Sequence, residues 1–99
     1  MSKRDFEPIH PGEILLEEFL KPMGISQYRL AKDISVSQQR ISEIVRGKRN
    51  IPSGTALRLG RFYRMEAQFW LNLQARYDLI QVESSLQSRL NKEVRPHAA

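Results

Sequence analysis

Residues 26–46 read SQYRLAKDISVSQQRISEIVR, and two short amphipathic helices can be marked out within them. Ser26 suits the N-cap of the first, whose apolar residues are Tyr28, Leu30, Ala31 and Ile34. Ser37 suits the N-cap of the second, which turns Ile41, Ile44 and Val45 inward and stops at Gly47. Only Ser35 and Val36 separate the pair. So short a connection holds one helix across the other at a steep angle, the helix-turn-helix arrangement. Ala31 is small where the two helices cross, and Ile41 with Ile44 is the i, i+3 pair that fastens the second helix to the body of the domain.

With that face turned inward, the opposite face of the second helix displays Ser37, Gln38, Gln39, Arg40, Ser42, Glu43 and Arg46. A glutamine amide can pair with the N6/N7 edge of adenine, and Arg40 can reach guanine or a phosphate. In this arrangement the N-terminal residues of the second helix meet base edges while the first helix crosses the backbone. Gln27, at the start of the first helix, is then placed to anchor a phosphate together with nearby backbone N–H groups, and Lys48 and Arg49, just past the stop, to grip the flanking strand. Charge supports the assignment. The 99 residues carry a net +5, but residues 26–64 hold nine basic and two acidic side chains, net +7. Residues 1–25 hold three basic and five acidic, net −2, and residues 65–99 balance at four and four. A basic excess confined to one segment is the footprint of a polyanion binder, because neutralised phosphates release counterions.

The remainder of the chain also reads as helix. Pro11 fits a first helical turn with Glu13 behind it, Ile14, Leu15 and Phe19 give that helix an apolar face, and Pro22 is expected to end it before a turn at Gly24–Ile25. Ile51–Pro52 is extended, and a further helix starts at Ser53 or Thr55 with Leu57, Leu59 and Phe62. Gly54 and Gly60 within it are expected to permit close packing. A last helix begins near Glu66–Ala67 and runs far into the tail, with Arg95–Ala99 as a frayed end. Nothing alternates long enough for a strand, so the fold class is all-α: one domain over 1–99, with five helices, a helix-turn-helix near 26–46 and an extended C-terminal helix near 67–93.

That last helix has two apolar stripes at 100° per residue. Phe69, Leu73, Tyr77 and Ile80, with Trp70 at the margin, form one. Leu71, Ala75, Leu79, Val82, Leu86 and Leu90 form the other, spaced close to a coiled-coil seam. One domain surface covers only one stripe, so the second is expected to pack against another chain, most simply in a homodimer; the alternative is a break near Asp78 that folds the tail back. Dimerisation also suits DNA reading, since two recognition helices address half-sites about 34–36 Å apart and imply an inverted-repeat operator in double-stranded DNA.

Catalysis finds little support. His10 precedes Pro11 at a helix start, where a capping role fits, and His97 lies in the tail. Glu17 and Glu18 are adjacent and diverge by about 100° on a helix. There is no phosphate loop, metal-ligand spacing or nucleophile elbow, so no catalytic residue, metal or cofactor is expected. With no cysteine, no apolar run near the ~20 residues of a membrane span and no apolar signal core in MSKRDFEPIH, a cytoplasmic, nucleoid-associated protein is expected. A protein-only interaction module would use the C-terminal seam but leave the +7 segment without a role.

ISQYRLAKDISVSQQRISEIVRGKRNI resembles the lambda-repressor-like helix-turn-helix family. HPGEILLEEFLKPMGISQYRLAK, RISEIVRGKR and FWLNLQARYDL, in that order from His10 to Leu79, resemble the HigA-type antitoxins, a group also labelled virulence-associated protein I. The resemblance implies a dimeric antitoxin that represses its own operon and neutralises a HigB-type mRNA-cleaving toxin. Solitary relatives act as plain transcriptional regulators, which is the alternative. By motif position, Gln27, Ser37, Gln38, Gln39, Arg40 and Ser42 correspond to DNA-contacting positions. Ser35 stands where the family often has glycine, and Ser37–Gln38 where relatives often have proline, so the operator sequence does not carry over.

Overall fold

The computed structural model describes residues 8–98. Residues 1–7, part of the stretch read above as lacking a signal core, and Ala99 of the frayed end lie outside the described residues. Among the described residues there are five helices and no strand. Helix α1 covers residues 11–23 in three consecutive segments, Pro11–Ile14, a π-helical Leu15–Leu20 and Lys21–Met23. The others are α2, Gln27–Ile34; α3, Gln38–Val45; α4, Ser53–Tyr63; and α5, Ala67–Glu93.

The first four helices end in the same way. Gly24, Ser35, Gly47 and Arg64 each adopt a left-handed backbone, with φ of 65°, 57°, 76° and 55°. The residue after each donates its N–H five residues back, Ile25 to Leu20 at 2.9 Å, Val36 to Ala31 at 3.0 Å, Lys48 to Glu43 at 2.8 Å and Met65 to Gly60 at 2.9 Å. This closure satisfies carbonyls that a helix end otherwise leaves open. N-caps follow the expected chemistry at Ser26, whose hydroxyl accepts from Arg29 N–H at 3.0 Å, and at Ser37, which accepts from Arg40 N–H at 3.1 Å. His10 caps α1, its Nδ1 accepting from Gly12 N–H at 2.9 Å.

Pro22 does not end α1, contrary to the sequence expectation; the helix runs through it to Met23, and Gly24 ends it. A proline lacks the N–H and crowds the carbonyl four residues back, and widening the preceding turn accommodates it. Lys21 N–H accordingly donates to Leu16, five residues back. Helix α4 starts at Ser53, one of the two starts expected; Pro52 precedes it and no side chain caps that end.

The core is built from every helix. Leu15 and Leu20 of α1, Leu30, Ala31 and Ile34 of α2, Ile41 and Ile44 of α3, Ala56 and Leu59 of α4, and Trp70 of α5 close on one another with Ile51 from the loop after α3. Tyr28 and Leu57, counted as apolar residues of α2 and α4, face solvent instead, at 60% and 61% exposure. Gly60 does pack closely, since a β-carbon there would collide with the Met65 carbonyl and press on the Ala67 backbone, whereas Gly54 faces open space. Gly12 makes a closer approach than either: a β-carbon there would collide with the Ile44 carbonyl, so α1 crosses the end of α3 backbone to backbone.

Helix α5 is continuous over 27 residues, with no break near Asp78. Its inward face is centred on Trp70 and Gln74, both buried, and not on the Phe69 arc at whose margin Trp70 was placed; Phe69 is 37% exposed. Beyond Ile80 the helix residues are exposed apart from the half-buried Leu86. The radius of gyration is 16.5 Å, where a compact chain of this length has about 13 Å.

Candidate nucleic-acid interface

Helices α2 and α3 pack on each other through Leu30, Ala31 and Ile34 against Ile41 and Ile44. Burial of Ile41 and Ile44 decides which way α3 faces, and the side chains of Gln38, Gln39, Arg40 and Arg46 are left exposed, with Ser42 half-buried. Ser37 is exposed, and its oxygen is engaged as the cap of α3. Gln27 is half-buried at the first residue of α2, and Lys48 and Arg49 are exposed beyond Gly47. Among the described residues, the polar tips named from sequence therefore lie along α3, at the start of α2 and on the loop after α3.

The connection between the two helices is held from a third side. Ser35 turns the chain, and the Arg58 guanidinium of α4 donates to the Ile34 carbonyl at 2.9 Å. Arg58 thereby supplies the open end of α2 with a cationic partner, which the dipole of a helix C-terminus favours.

Two polar contacts were not anticipated from sequence. Glu43, on the outward face of α3, accepts from Arg49 Nε at 2.8 Å. That hydrogen bond holds the Glu43 carboxyl below its ordinary value, with Gln39 and Arg46 adding to the effect. Arg49 is thus tied back to α3 through Nε, and its two terminal nitrogens keep donors for a phosphate. The pair is largely exposed, so its intrinsic worth is small and full release of Glu43 costs little. The second is Gln74, a polar residue four positions after Trp70 on the buried face of α5. Its Oε1 accepts from Ile51 N–H at 2.8 Å and its Nε2 donates to Asp78 Oδ1 at 3.0 Å. An amide at the i+4 position of an otherwise apolar face was the available signal.

Behind α3, the His10 ring lies against Gly47 and edge-on to Tyr77, with ring centroids 4.8 Å apart. Burial pushes its imidazole below the ordinary value, while Asp78 and the Arg49 backbone favour the charged form more weakly. Nδ1 is engaged by Gly12, and Nε2 completes no hydrogen bond of good geometry.

Comparison with known proteins matches this geometry to a family. The helix-turn-helix family model matches residues 16–70. Virulence-associated protein I of Dichelobacter nodosus is 55% identical over 87 residues, covering 88% of this chain and 81% of that protein. The Pseudomonas aeruginosa antitoxin HigA, solved with the higBA promoter, superposes with a TM-score of 0.89 at 41% identity, covering 93% of this chain and 100% of that one. The chain belongs to the HigA-type antitoxins of the helix-turn-helix family. A HigA-family addiction module antidote protein from Coxiella burnetii is similar over the same extent, with a TM-score of 0.87 at 41% identity, covering 92% of this chain and 99% of that one. The HigA-type resemblance read from three sequence blocks and the all-α, helix-turn-helix class both hold. Among the described residues no cluster of His, Asp and Glu could hold a metal ion, and no helix is long and apolar enough to cross a membrane.

Proposed function

We propose that this HigA-type chain is a DNA-binding antitoxin. It represses its own operon as a homodimer on an inverted repeat, and it neutralises a HigB-type mRNA-cleaving toxin encoded beside it. It acts through binding rather than catalysis, in the cytoplasm, where the operator is. The observation that supports the DNA role most directly is the exposure of Gln38, Gln39 and Arg40 on the first turn of α3, opposite the buried Ile41 and Ile44. A relative of 41% identity presents the same fold to the higBA promoter. In this reading Gln38, Gln39, Arg40 and Ser42 face base edges. Gln27, Ser37, Arg46, Lys48 and Arg49 position the domain on phosphates. Toxin neutralisation rests on family membership.

The roles separate in a mobility-shift titration on the region upstream of the gene, with an unrelated duplex as reference. Arg40→Ala is expected to reduce discrimination between the two duplexes by about 1–3 kcal/mol. Lys48→Ala is expected to weaken both alike and to flatten the dependence of log affinity on log salt by about one unit. Absence of any retarded species on the upstream region would remove the DNA role altogether.

A further inference from the structure

We propose that Gln74 of α5 is a positioning residue for DNA binding: its side-chain amide clamps the far end of the Lys48–Asn50 loop and so sets where the phosphate-gripping cations stand. The inference rests on the proposed phosphate role of Lys48 and Arg49.

The loop leaves α3 at Gly47 and enters the core at Ile51. Its near end is held by α3 itself, through Gly47 N–H to the Ile44 carbonyl at 3.0 Å and Lys48 N–H to the Glu43 carbonyl at 2.8 Å. Its far end has no such neighbour. Pro52 follows Ile51, α4 starts only at Ser53, and the Ile51 side chain is buried at 2% exposure. The Ile51 N–H must therefore find an acceptor inside the domain, since an orphaned buried amide is strongly disfavoured. Gln74 Oε1 is that acceptor, 23 positions away in sequence, on the helix whose distal half carries the proposed dimer seam. Gln74 is itself 7% exposed, and Asp78 fixes the amide's orientation by accepting from Nε2 at 3.0 Å. A flipped amide would present N–H to N–H at Ile51 and a carbonyl to the Asp78 carboxylate, so the pair of bonds selects one rotamer.

Lys48, Arg49 and Asn50 thus span two fixed points. One belongs to the recognition helix and the other to α5, and the loop transmits the placement of α5 to the phosphate-facing cations. A core-filling role alone would call for leucine at this position; glutamine is explained by the Ile51 amide. A displaced loop takes Lys48 and Arg49 away from their phosphates while α3 keeps its base contacts, which separates this role from a contribution to stability.

The test is a salt titration of binding by the intact chain to the duplex from upstream of its gene, with fold verified by circular dichroism. Gln74→Leu is expected to flatten the slope of log affinity against log salt by about one to two units, as one or both cations lose their phosphates. Preference for the upstream duplex over an unrelated one should persist, and amide exchange at Ile51 should accelerate. Gln74→Glu keeps an acceptor for Ile51 and should recover most of the slope, although its carboxylate faces Asp78. If Gln74→Leu does not fold, Asp78→Ala, at an exposed position, leaves the amide free to turn and should give a smaller flattening in the same direction. A wild-type slope in a folded Gln74→Leu or Asp78→Ala protein, with Lys48→Ala flattened as expected, overturns the clamp and leaves the phosphate reading standing. A wild-type slope in Lys48→Ala itself overturns both.

Discussion

Ser35 holds the turn between α2 and α3 at φ 57° and ψ 47°, a conformation in which a β-carbon crowds the following carbonyl. Its side chain is exposed, so a glycine there loses no packing and relieves that crowding, while adding freedom to the unfolded chain. The first effect is about 1–2 kcal/mol and the second about 0.5–1 in the opposite direction. Ser35→Gly is therefore expected to stabilise the fold by roughly 0.5–1 kcal/mol, read as a higher denaturant midpoint at unchanged m-value. A lower midpoint would mean that the serine contributes an interaction beyond its backbone. His10 gives a second test at this scale. Its Nδ1 must carry a lone pair to cap Gly12, so the folded protein holds the neutral ring, and burial lowers its affinity for a proton below the ordinary value of 6.5. The unfolded chain then binds a proton at a pH where the folded one does not. Stability from this group is complete above about pH 6.5 and is lost as pH falls through the lower folded value. Asp78 and the Arg49 backbone face the same ring and limit the shift, and the Glu43 carboxyl, also held low, begins to matter only below its own ordinary value of 4.5. Thermal midpoints should fall between about pH 7 and pH 5, and His10→Asn, which can cap α1 without titrating, should flatten that part of the curve. An unchanged slope in the variant would assign the pH dependence to other groups.

At the scale of elements, sequence pattern was most informative where one local rule acted alone. Ser26 and Ser37 announce α2 and α3 because a hydroxyl before an apolar run is a self-contained signal, and both hydroxyls cap as expected. Burial of Ile41 and Ile44 follows from their spacing, and with it the outward turn of Gln38, Gln39 and Arg40. Failures came where two rules competed or where the partner was distant. Pro22 is a stop signal, but the π-helical Leu15–Leu20 absorbs its missing donor and Gly24 supplies the actual end. Leu57 and Tyr28 remain outside because, at about 100° per residue, each lies roughly 100° or more round its helix from the centre of the buried stripe, Leu30, Ala31 and Ile34 in α2 and Ala56 and Leu59 in α4. Gly12 gives no local sign that the Ile44 carbonyl lies beneath it. Gln74 was half legible: its amide stands out four positions after Trp70, but its partner, the Ile51 amide 23 residues away, does not. The pairing of Arg49 with Glu43 crosses a helix end whose geometry depends on Gly47, which charge counting alone does not show.

At the scale of the molecule, the outer half of α5 sets the problem. Leu79, Val82 and Leu90 are 65%, 49% and 40% exposed, and Ala75 is exposed too, although they belong to one stripe of a helix that runs unbroken to Glu93. Leu71, at the inner end of that stripe, packs half-buried against its own core and belongs partly to the domain; Leu86 is half-buried further out. From residue 81 onward the helix is 13 residues long, and an isolated helix of about 12–15 residues is marginal in water. A second copy covering this exposed apolar seam would stabilise such a helix, and the proposed pairing would place two recognition helices on one duplex. A chain ending after Leu79 retains Trp70, Gln74 and the core and should keep its fold, visible as an unchanged tryptophan emission maximum. Light scattering should then report a dimer for the full chain and a monomer for the shortened one at equal concentration. Affinity for an inverted-repeat duplex should fall towards that for a single half-site, because only the dimer gains from engaging both at once. A shortened chain that remains dimeric would place the two-fold contact elsewhere in the domain. A monomer that still binds the full repeat as tightly as before would detach DNA reading from dimerisation.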